Sequence, residues 1–283
     1  MRRTGMALIL VAAVGSGRAG AQDPAEPGYL RDRGTGLATS MFGTYIRPGE
    51  LIVYPFYEYY RDQDLEYAPS EFGYGLEQDF RGEYHADEAL LFMAYGISDR
   101  FALEVEAAVI SASLDKSPED TSLQPPRIEE SGLGDVEGQL RWRWQKEGEH
   151  RPELFGFWEL VVPHAKDKPL IGTPGLEMKL GTGVSRGFPF GTLSASVSIA
   201  YEGASESHFD IGEYQLEYLK RAGRHLRFYA GLEGTQDELS LITEVQVHLG
   251  RHLFIKLNNG LGLTSRATDW SPEVGILFTL PTR

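Results

Sequence analysis

Apolar and polar residues alternate with period two along most of this chain. The pattern is sharpest between Val136 and Trp144, where Val136, Leu140, Trp142 and Trp144 share one face and Glu137, Gln139, Arg141 and Arg143 the other. Successive strand side chains point to opposite faces, so this segment predicts a strand with one greasy and one ionic side. Two architectures accommodate such a strand. A soluble sandwich or lipocalin-like barrel turns the greasy side inward, whereas an outer-membrane barrel turns it to lipid and the charges to the lumen.

The alternation recurs over residues 50–60, 80–95, 101–109, 153–162, 176–184, 192–201, 213–218, 226–233, 239–249, 253–261 and 274–280. With the strand over 136–144 this makes about twelve strands of roughly ten residues, the length a tilted strand needs to cross a bilayer. They outnumber the strands of a lipocalin and exceed the usual five or six residues of a globular sheet. The connections alternate between long polar stretches, such as 61–79, 111–131 and 163–174, and short turns such as Gly96-Ile-Ser-Asp99. A meander of this kind puts all its short turns at one end. The prediction is an all-β chain forming a transmembrane, antiparallel, up-and-down β-barrel.

The N-terminus supplies an address. Arg2 and Arg3 precede an apolar run from Met6 to Val14 and the small residues Ala19-Gly-Ala21, the pattern of a secretory signal peptide cleaved after Ala21. The expected organisation is a signal peptide over 1–21, an N-terminal segment over 22–48 lying in the periplasm or in a lumen, and a barrel over 49–283. The expected place is the outer membrane of a Gram-negative bacterium, with membrane lipid as a partner; oligomeric state is unread. A net charge of −14 argues against nucleic acid, which needs a basic footprint. The chain has no cysteine, which removes disulfides, thiol nucleophiles and thiolate-held metals. His85 and His248 are candidates to point inward, but neither has partners at ligand spacing, so no metal or other cofactor is expected.

Several short motifs sharpen the picture. Gly132-Leu-Gly-Asp135 enters a strand, Tyr95-Gly-Ile-Ser-Asp-Arg100 precedes a Glu-bearing strand, Gly172-Thr-Pro-Gly175 precedes another, and Arg31-Asp-Arg33 is followed by Pro48-Gly-Glu50. Together they resemble the outer-membrane family of meta-pathway phenol-degradation proteins. The resemblance implies a porin-like transporter for small, often aromatic or hydrophobic molecules.

In a channel, chemistry sits on the ionic face. That face offers Glu104, Glu106, Glu137, Arg141, Arg143, Glu153, Glu159, Glu177 and Lys179 as lumen residues that set selectivity, since rings of charge and constriction decide which solutes pass. The same residues could simply brace a closed lumen. Phe155 and Phe157 interrupt the polar face of their strand and offer either a patch for an aromatic solute or packing. An enzyme that hydrolyses or modifies lipid is the competing class, with Ser207, His208 and Asp210 as the residue types available; adjacent residues of one loop do not form a triad. A surface barrel binding a partner or calcium through its acidic loops is a third reading, although no regular calcium-loop spacing occurs.

Overall fold

The computed structural model describes residues 27–204 and 209–282. The proposed signal peptide, and Ser207 and His208, lie outside the described residues. A short hairpin comes first, of β1 (Leu37–Ala38) and β2 (Tyr45–Ile46). Twelve strands then close a barrel: β3 (Glu50–Tyr67), β4 (Phe80–Gly96), β5 (Phe101–Asp115), β6 (Arg127–Gln145), β7 (Glu153–Val162), β8 (Glu177–Phe188), β9 (Gly191–Glu202), β10 (Phe209–Ala222), β11 (Leu226–Gly234), β12 (Leu239–His248), β13 (Leu253–Gly262) and β14 (Trp270–Pro281). Each pairs antiparallel with its neighbours in sequence, and β14 closes onto β3 with Phe278 opposite Val53 and Gly275 opposite Phe56. Closure leaves no sheet edge, so the ladder satisfies the backbone polar groups that a bilayer cannot.

Side-chain exposure decides between the two architectures. Leu103, Leu180 and Val197 are about half exposed, at 48%, 50% and 49%, while Glu104, Arg141 and Lys256 are 2%, 6% and 1% exposed. Large apolar residues cover the outer wall and charges fill the interior, the inversion of a soluble sheet. This is a transmembrane outer-membrane barrel. Trp142 and Trp144 lie on the outside near the β6–β7 turn, their rings 6.0 Å apart, where an interfacial girdle forms.

The interior is not uniformly polar. Ile52, Tyr54, Phe56, Leu90 and Phe92 point inward from β3 and β4 and form an apolar cluster with Phe155 and Phe157. Along β4 the inward set is the even one, apolar except for Glu88, so His85, at an odd position, faces outward. Its Nδ1 sits 3.0 Å from the hydroxyl of Tyr59, and this corrects the inward placement expected for it. His248 does point inward and is buried.

Three strands outrun their expected ends. β3 continues to Tyr67, β5 to Asp115, and β6 starts at Arg127, inside stretches expected to be loops. Arg127 pairs with Asp115 and Glu129, at 3.1 and 2.8 Å, and Arg61 with Glu83 at 3.1 Å, on these extensions. Such pairs need water on the outer face, so the extensions stand above the lipid.

Two segments enter the barrel from opposite ends. From the short-turn end, which is periplasmic in bacterial barrels, residues 28–49 run inward and form the β1–β2 hairpin. From the long-loop end, residues 163–176 fold over the mouth, with Leu170 and Ile171 buried among Tyr67, Phe80, Ala112 and Leu114.

Candidate functional site

Asp135 explains how the upper segment is held. A register shift between Ala107 and Val109 falls beside the Gly132-Leu-Gly-Asp motif. From there the Asp135 carboxylate accepts hydrogen bonds from the backbone N–H groups of His164, Ala165 and Thr173 and from the Thr173 hydroxyl, at 2.6–2.9 Å. Gly134 leaves room for Ile110 and the carbonyl of Ile171, atoms that an added Cβ would approach to 2.8 and 3.2 Å. Two motifs that are far apart in sequence, Gly132–Asp135 and Gly172–Gly175, thus form one fastening.

The hairpin is held by charge. Arg33 places Nη2 at 2.9 Å from Glu147 and 3.1 Å from Glu153, and Glu153 also takes Arg143 Nε at 2.9 Å, all with side chains at most 4% exposed. Arg143 donates further to the carbonyl of Gly36. At the hairpin tip, the backbone N–H and hydroxyl of Ser40 donate to Glu104 at 2.9 and 2.6 Å. Lys256, paired with Glu244 at 3.0 Å, donates to the carbonyl of Phe42, also at 3.0 Å. Gly43 turns the tip at φ +57°, and a Cβ there would meet Gln246 Nε2 at 2.7 Å. Arg143, Glu153 and Glu104 are therefore lumen residues that hold the N-terminal segment.

Above the hairpin lie two adjoining chambers. The smaller, of about 220 Å³, is lined by Glu104, Glu106, Glu137, Arg141, Phe155, Phe157, Glu159 and Lys179 together with the hairpin tip. Eight of the eleven candidate residues therefore meet in one cavity. Within it, Arg141 donates to Gln139 at 2.6 Å, Gln139 donates to Glu159 at 2.7 Å, and Lys179 bridges Glu159, at 3.1 Å, and Glu213. The Phe155 and Phe157 rings lie over Gly183 and Gly181, where a Cβ would fall 2.3 and 2.1 Å from the ring atoms. The Arg141 guanidinium sits 5.5 and 5.3 Å from the same two ring centres. These phenylalanines are packed between glycine backbone and a cation.

The larger chamber, of about 750 Å³, extends from the hairpin tip to the Asp135-held loop. Glu177 lines it, as do Glu106, Glu137 and Lys179, which it shares with the smaller one. Its other carboxylates include Glu58, Glu88, Glu213, Glu233 and Glu273, and Lys179 is its one cation among the described residues. Glu106 and Glu137 are directly opposed across the β5–β6 ladder. Glu58, Glu88, Glu213, Glu233 and Glu273, each at an inward position of its strand, are lumen carboxylates beyond the expected selectivity set. At the outer rim the β3 bulge also gathers Asp62, Asp64 and Asp269, with carboxylate oxygens within 4.8 Å of one another. Asp210, one of the residue types weighed for hydrolysis, is exposed and accepts from Gln236 at 2.7 Å.

A closed twelve-strand barrel, filled from both ends around an acidic interior, defines the class: an outer-membrane β-barrel of porin-like architecture. Comparison with solved structures agrees. A crystal structure of an outer membrane channel from Pseudomonas putida superposes with a TM-score of 0.63 at 13% identity, covering 86% of this chain and 99% of that one. The translocator domain of the autotransporter NalP from Neisseria meningitidis superposes with a TM-score of 0.52 at 10% identity, covering 82% and 89%. At such identities the likeness is one of fold, and one of these proteins is a channel while the other is a translocator domain. No family model matches the chain, and no curated protein matches it. The phenol-degradation family therefore remains a resemblance carried by short motifs.

Proposed function

We propose that this barrel is an outer-membrane channel for small molecules with an apolar or aromatic body and a positive charge. The observation that carries the reading is the acidic chamber, in which, among the described residues, ten carboxylates face one lysine. A confined surplus of one sign of charge raises the local concentration of the opposite sign and repels its own. Phe42, Phe56, Tyr60 and Leu90 line the same chamber and give an apolar body a surface to contact. The channel narrows at the hairpin tip, where Glu104, Glu106 and Arg141 face Ser40, Met41 and Phe42. In this reading Glu106, Glu137 and Glu177 attract the solute, Lys179 and Arg141 limit the net charge, and Arg143 and Glu153 fix the constriction.

The test is single-channel recording of the refolded chain in a planar bilayer, with phenethylammonium and, separately, phenylacetate added on the loop side. Discrete steps reduced by the ammonium at a concentration where the carboxylate has no effect are expected. A folded, heat-modifiable barrel that never conducts, or equal block by both solutes, would contradict the reading.

A further inference from the structure

The opposite end of the lumen carries the opposite charge. Between the hairpin and the β10–β14 wall lies a cavity of about 440 Å³ that opens at the short-turn end. Its basic lining includes Arg221, Arg224, Arg227, Arg251, His248 and His252, and among the described residues its one carboxylate is Glu50. That carboxylate is already occupied, accepting from the Arg47 backbone N–H and from Nη2, both at 3.0 Å. Arg224 and Arg251 stand on neighbouring turns, after β10 and after β12, and neither makes a hydrogen bond or ion pair with a described residue.

A second observation is independent of this charge surplus. His248 is only 8% exposed, its ring packs on Phe254 with centroids 4.2 Å apart, and it lines the cavity with Nε2 buried and without a hydrogen-bond partner. Leaving a buried polar atom without a partner is unfavourable, and a ligand accepting its proton would remove that cost. The guanidinium groups that line the same cavity carry donors in a planar fork that suits a tetrahedral oxyanion.

We propose that this periplasmic-end cleft is a phosphate-binding site, with Arg221, Arg224 and Arg251 supplying charge-assisted donors and His248 Nε2–H a fourth. The phosphate is either free or the headgroup of an inner-leaflet phospholipid, since the turns that carry Arg224 and Arg251 lie at the end of the barrel that faces that leaflet. The site goes beyond the channel reading and does not depend on it, because binding at the mouth needs no conduction.

The experiment titrates inorganic phosphate into the refolded barrel in a maltoside detergent, which carries no phosphate, and follows the ring ¹⁵N signals of the histidines. Saturable binding that moves the His248 signal is expected. Arg224→Gln and Arg251→Gln, both at exposed turn positions, should each weaken it by tenfold or more, while Lys146→Gln on the β6–β7 turn leaves it unchanged. Native mass spectrometry of protein extracted from membranes separates the two sources. A co-purified anionic phospholipid displaced by phosphate assigns the headgroup, and its absence alongside saturable phosphate binding assigns the free ion. No saturable binding, or binding that survives both arginine substitutions, overturns the proposal.

Discussion

Gly181 and Gly183 show how a single missing Cβ shapes the lumen. The inward face of β8 would ordinarily fill this space with side chains, but here the rings of Phe157 and Phe155 occupy it. Gly181→Val should therefore clash with Phe157, whose nearest ring atom lies 2.1 Å from the added Cβ, and destabilise the barrel by about 1–3 kcal/mol. Gly138→Ala provides the control, because its Cβ would meet only the Glu104 carbonyl, at 3.9 Å. Urea midpoints of the two variants refolded into the same liposomes measure the difference; equal midpoints would mean that the rings are free to move. Parity in the sequence placed Glu104, Glu137, Arg141, Glu159 and both phenylalanines on the lumen face, and they lie there. It could not assign their partners, because Ser40 and Arg33 reach Glu104 and Glu153 across separations that no local pattern encodes.

The hairpin and the two mouth loops act as separate elements with separate fastenings. Arg33→Ala would leave Glu147 and Glu153 buried without their shared cation, and breaking a buried pair costs about 3–5 kcal/mol. The expected result is faster amide exchange over residues 37–46 and larger conductance steps, and unchanged exchange would show that Arg33 does not hold the hairpin. The loop between β5 and β6 has its own carboxylate. Burial would raise the Asp120 pKa, but donation from the Ser122 N–H and the Tyr67 hydroxyl outweighs it and holds the carboxyl below its usual range. A depressed folded pKa stabilises above the ordinary value of about 4 and loses that contribution as pH falls through the folded one. Exchange over residues 116–126 should thus accelerate on strong acidification, and in Asp120→Asn it should already be fast at neutral pH. These elements were hard to read in the sequence for a physical reason. The hairpin strands are two residues each, too short for periodicity to register. The extensions of β3, β5 and β6 face water outside and loops inside, so alternation no longer marks them.

At the scale of the molecule, twelve strands were legible because lipid on one side and a polar lumen on the other impose period two along nearly every span. Only β4 and the start of β3 blur it, where inward Tyr54, Phe56, Leu90 and Phe92 pack against one another. What no single strand revealed is the charge gradient along the lumen, with carboxylates above the hairpin and arginines below it, because it arises from residues on strands from β3 to β14 brought to a common depth. The most direct test of this account is the reversal potential of the refolded barrel in a KCl gradient, compared with the Glu106→Gln/Glu137→Gln double variant. The acidic chamber predicts cation preference in the parent and a clear loss of it in the double variant, with the barrel still heat-modifiable. Anion preference in the parent, or an unchanged reversal potential in the variant, would contradict it.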